Sequence, residues 1–169
     1  MKIKLSELIK LELASIIILL FLTFSFYCLF FKNIETTSII PQRPTLGIAY
    51  TLKLVFQNMR VYFVTFLLFM ISPVPILYNW FILLCNIGYN IKIVGINTTL
   101  HQLLPHGLLE VPTIILYQYL SYKMMMIAYK YKNSNALLMF IKENKSYFIL
   151  IPLLVVTSSF IEGLIGWLN

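Results

Sequence analysis

Long apolar runs broken by short polar stretches dominate the chain. Leu11 to Phe31 carries one charge, Glu12 at its edge, and matches the ~20 residues a helix needs to cross a hydrocarbon core. Ahead of it, residues 1–10 interleave Lys2, Lys4, Glu7 and Lys10 with Ile3, Leu5, Leu8 and Ile9. That pattern predicts a short amphipathic helix lying in the membrane interface and entering the first span at a bend. Residues 32–45 hold Glu35, Pro41, Arg43 and Pro44 and read as an aqueous connection.

In residues 47–60, Leu52, Val55 and Phe56 alternate with Lys53, Gln57, Asn58 and Arg60, predicting an amphipathic helix beside the bundle. A second apolar segment starts at Val61 and meets Pro73 and Pro75, which bend or end it. A third follows from Ile76 to Ile91, with Asn79, Asn86, Gly88 and Asn90 inside it, and residues 92–105 form a polar connection. The fourth runs from Gly107 to Met126, and the lysine-bearing stretch 123–145 returns to water. Tyr147 to Leu168 makes the fifth, interrupted by Pro152, Glu162, Gly163 and Gly166.

The pattern therefore predicts an all-α, polytopic integral membrane bundle. It forms one transmembrane domain over residues 1–169, with about five spans at 11–31, 61–75, 76–91, 107–126 and 147–168 and an interfacial helix at 1–10.

Composition strengthens this picture. The chain is 60% hydrophobic and 11% charged, whereas soluble domains carry about 25% charged residues. Thirteen basic residues against six acidic ones give a net charge of +7. In a bundle of spans such cations snorkel to lipid headgroups and set topology, so no nucleic-acid partner is expected. With the N-terminus inside, Lys2, Lys4, Lys10, Lys123, Lys130, Lys132, Lys142 and Lys145 fall on the cytoplasmic side, eight of the thirteen basic residues. This favours a multi-pass protein of the cell membrane with a cytoplasmic N-terminus. The first apolar run leads to Lys32 without a small-residue cleavage motif and reads as a retained signal anchor. Cys28 and Cys85 lie in apolar runs, where a thiol is expected to serve as a small buried hydrophobe.

Candidate chemistry is concentrated at Pro105-His106-Gly107-Leu108-Leu109-Glu110-Val111-Pro112. An imidazole and a carboxylate four residues apart share one helix face. An ionisable group within a membrane segment is costly enough to mark a functional site, and His106 is the natural partner of Glu110. The pair can move a proton, bind a cation, or act as catalytic acid and base. The structural alternative is that Glu110 stands in the first turn of the fourth span, where it complements the helix dipole. Two ligands do not make a zinc site, so no metal is expected. Asn79, Asn86 and Gly88 suit interhelical packing, amides bonding across helices and glycine allowing close approach, and Asn58 reads the same way. No phosphate-binding loop or nucleophile motif is present, so no cofactor is expected in this chain, and any ATP must come through a partner subunit.

The Pro105-His106-Gly107-x-x-Glu110-Val111-Pro112 pattern opening a span resembles the signature of the stage II sporulation protein M family, and Asn58 with Asn86-x-Gly88 resembles that family's Asn-containing helices. The resemblance covers residues 50–128 and singles out Asn58, Asn86, Gly88, Pro105, His106, Gly107 and Glu110. It implies a fold similar to the export-type ABC permeases. The family includes a sporulation protein that works with cell-wall-remodelling partners. It also includes small proteins encoded beside ABC ATPases in circular bacteriocin clusters, implicated in peptide maturation, export or immunity.

By that resemblance the leading expectation is a membrane subunit acting with an ABC-type ATPase, and with other membrane subunits or further copies of itself, on a hydrophobic peptide. The alternatives are a scaffold that recruits wall hydrolases, and an intramembrane peptidase or cyclase with His106 and Glu110 as its catalytic pair.

Overall fold

The computed structural model describes residues 3–33 and 48–168, apart from the side chains of Leu5, Gln102, Pro105, His106 and residues 164–168. Most of the connection predicted for 32–45 lies outside the described residues. The elements are α1 (Leu5–Phe26), extended by a π-helical turn over Tyr27–Phe31, then α2 (Ile48–Leu67), α3 (Pro73–Val94), α4 (Ile96–Tyr131), α5 (Ser134–Glu143) and α6 (Lys145–Leu168). Among the described residues all regular secondary structure is helical. Three of its helices are long and apolar enough to cross a membrane, over Ser6–Phe31, Pro73–Val94 and Lys145–Gly163.

Several boundaries differ from the sequence reading, each for a local reason. A separate interfacial helix ending at Lys10 is not formed, because α1 runs unbroken from Leu5 through the apolar run. Its start is held by protein: Ile3 and Leu8 are buried in the core, and the Ile3 N–H donates to Asn144 Oδ1 at 3.1 Å.

The predicted amphipathic segment 47–60 and the start of the second predicted span are one helix, α2, which ends at Leu67. The chain then turns through a 3-10 segment at Phe69–Ile71, and Pro73 opens α3 instead of ending the helix before it. Proline suits a first turn, where its missing N–H would have no helical partner.

The polar connection expected at 92–105 is helical, apart from Gly95. That residue holds φ at +84°, a backbone conformation glycine adopts without a Cβ penalty, and so turns α3 into α4 by itself. Asn97, Thr98 and His101 are exposed, so their polarity is met without a loop. The lysine-bearing stretch likewise folds as the end of α4, a left-handed residue at Lys132 (φ 48°), and α5, whose N-cap Asn133 accepts from the Asn135 N–H at 2.9 Å.

The 36-residue α4 spans about 54 Å and is the axis of the bundle. Its buried positions Leu116, Tyr117, Leu120, Met124 and Ile127 recur at helical spacing and pack on Tyr62 of α2, Phe140 of α5 and Ile151 and Val155 of α6. The exterior is apolar: Ile17, Phe21 and Phe24 on α1, Leu77 on α3, and Ile149 and Leu153 on α6 are all exposed. Small polar groups share the interior with that apolar core. Ser121 Oγ donates to the Thr65 carbonyl at 2.8 Å, and Trp80 Nε1 donates to Gln118 Oε1 at 2.7 Å, tying α4 to α2 and α3. An apolar exterior around an interior tied by packing and hydrogen bonds is what lipid selects, since these replace the hydrophobic drive between helices.

Candidate functional site

Between α2, α3, α4 and α6 lies a cavity of about 310 Å³. Helical periodicity selects its lining. On α4, Glu110, Thr113, Ile114 and Tyr117 follow one another at i, i+3, i+4 and i+7 and form one stripe. α3 contributes Asn79 and Asn86, two turns apart. From α2 come Gln57 and Asn58, and from α6 Ser158. Apolar walls are supplied by Val61, Ile82, Leu83 and Val155.

The amides are held unequally. Asn58 Nδ2 donates to Ser159 Oγ at 3.0 Å, and Ser159 Oγ donates in turn to the Val155 carbonyl at 2.8 Å. Asn79 Nδ2 approaches Thr65 Oγ1 at 3.5 Å, a long contact. Thr113 Oγ1 donates back to the Leu109 carbonyl at 2.6 Å. Glu110 makes no hydrogen bond or ion pair with another described residue, and Glu162 of α6 lies within electrostatic reach of it. The cavity therefore offers amide and hydroxyl groups around a carboxylate in a membrane-sized bundle, where such groups are rare unless they serve a function.

Of the residues singled out in the sequence, Asn58, Asn79, Asn86 and Glu110 converge on this cavity. Glu110 stands about four turns inside α4, which begins at Ile96. The dipole reading of Glu110 is thereby overturned, because that effect fades beyond the first turn. His106 precedes Glu110 by one turn on α4, and the side chains of His106 and Pro105 lie outside the described residues. Gly88 does not line the cavity. It is buried against the end of the first span, where a Cβ would stand 2.8 Å from the Phe31 ring. Gly107 faces an apolar groove with Leu19, Leu20 and Leu104, and a Cβ there would meet nothing within 4 Å.

Sequence reasoning did not select Gln57, Thr113, Tyr117, Ser158 or Glu162 for the site. A signal existed for Tyr117, seven residues beyond Glu110 on the same helix face. None of local range connected Glu162 to Glu110.

The family model described as stage II sporulation protein M matches residues 13–166. No curated protein and no solved structure matches the chain.

Proposed function

This chain belongs to the stage II sporulation protein M family, and we propose that it is a subunit in the cell membrane that handles a hydrophobic peptide during maturation, export or self-protection, with ATP hydrolysis supplied by a separate ABC-type ATPase. The observation that carries this reading is the cleft, lined by amides and a carboxyl group, that opens between the helices of a bundle with an apolar exterior.

A peptide segment in a bilayer needs partners for every backbone N–H and C=O. Gln57, Asn58, Asn79 and Asn86 supply donors and acceptors of that kind, and Glu110 supplies a carboxyl group that can pair with an ammonium group. At about 310 Å³ the cavity is at the small end of the roughly 300–1,000 Å³ range of ligand sites, which suits a short stretch of chain better than a folded peptide. α2 and α4, packed against α6, would complete a five-span bundle shielded from lipid by the more apolar helices. The lysines gathered where α1 starts and α4 ends support a cytoplasmic N-terminus.

The test is purification of the tagged protein in a mild detergent from its native host, with co-purifying chains identified by mass spectrometry. An ABC ATPase together with a small hydrophobic peptide is the expected result. Wall hydrolases without an ATPase would replace this reading with a sporulation scaffold.

A further inference from the structure

A second cavity, of about 320 Å³, opens at the end of the bundle where α1 begins and α4 ends. One side of it is a single stripe of α4 carrying Tyr119, Lys123, Lys130 and Tyr131, and buried Phe140 of α5 closes it from below. Each lysine is placed by an aromatic ring: Lys123 Nζ lies 5.2 Å from the Tyr119 centroid, and Lys130 Nζ lies 5.3 Å from that of Tyr131. Neither ammonium forms an ion pair with a described carboxylate. Glu7 on the facing wall is exposed and flanked by Lys4, the residue before α1, and by Lys10 on α1, three residues to either side.

The position of this cavity along the membrane normal matters as much as its charge. The candidate spans Ser6–Phe31 and Lys145–Gly163 both begin at this end of the bundle, so a bilayer that holds them would set phosphodiester headgroups here. Tyr119 also lines a neighbouring cavity of about 220 Å³, with Leu11, Ile76 and Ile115, deeper in the apolar layer. A paired cationic pocket is thus joined through one aromatic residue to an apolar slot. A free phosphate would use only the first part, whereas a phospholipid uses both.

We propose that this cavity binds an anionic phospholipid, with Lys123 and Lys130 meeting its phosphate and the slot beyond Tyr119 receiving an acyl chain. Basic pockets between membrane helices recognise anionic headgroups in this way.

The test is titration of phosphatidylglycerol into the purified full-length protein in neutral detergent, read by native mass spectrometry, with phosphatidylcholine as comparator. The Lys123→Gln/Lys130→Gln variant should bind phosphatidylglycerol about thirtyfold more weakly, as expected for two headgroup-level cations. Lys142→Gln/Lys145→Gln, which removes two exposed lysines outside the cavity, should leave binding unchanged. Lys123→Arg/Lys130→Arg should retain it, and is the variant to rely on if the glutamine pair fails to fold. Equal binding of the two lipids by the unaltered protein, equal losses in both glutamine variants, or displacement of the lipid by millimolar inorganic phosphate would overturn the proposal.

Discussion

Asn58 on α2 and Ser159 on α6 are 101 residues apart in sequence and joined by a 3.0 Å hydrogen bond at the edge of the polar cavity. The bond fixes how two of the cavity's walls meet. Asn58→Ala should therefore loosen the α2 and α6 contact by about 0.6 kcal/mol, and by no more than about 1.7 kcal/mol, the range for such bonds in membrane helices. A thermal melt in detergent measures it. A variant that melts normally yet fails to retain peptide would instead assign Asn58 to the ligand.

Gly163 and Gly107 should respond in opposite ways to alanine. At Gly163 a Cβ would stand 2.8 Å from Thr51 Cβ, so α2 and α6 must separate, at a cost of about 1–3 kcal/mol. At Gly107 there is open space, and removing a helical glycine should be neutral or stabilise by up to about 1 kcal/mol. Comparing the two melting temperatures against the parent protein checks both signs at once.

Glu110→Gln keeps the shape of the cavity and removes its ionisable carboxyl group. The variant should insert normally and should lower export of mature peptide. Mass spectrometry of cell extracts and medium separates two causes. Mature peptide accumulating inside cells points to transport, while a fall of about 10²–10⁴-fold in the rate of maturation itself points to general acid–base chemistry at Glu110. Normal maturation and normal export would remove Glu110 from the mechanism.

Topology can be read with single cysteines introduced after Cys28 and Cys85 are replaced by serine. Both Asn97 and Ser134 are exposed, at the starts of α4 and α5. Asn97→Cys should react with a membrane-impermeant maleimide in intact cells, and Ser134→Cys only after permeabilisation. The reverse pattern would place the N-terminus outside.

The apolar runs were enough to establish a helical membrane protein and the first and last candidate spans, because burial in lipid is a local property of composition. The polar residues at 97–102 and the lysines at 123–145 misled the reading, since a helix with one wet face tolerates them and only the packed chain shows which face that is. Pro73 and Pro75 marked a boundary correctly but could not say on which side the helix lay.

What tertiary structure alone decided is convergence. Asn58, Asn86 and Glu110 lie on three different helices, and Glu162 approaches Glu110 from a fourth. Their meeting depends on the one-residue turn at Gly95 and on how closely α2 can approach α6 at Gly163. Those are contacts between segments far apart along the chain, set by helix rotation and separation in the bundle, and no periodicity within a single helix encodes them.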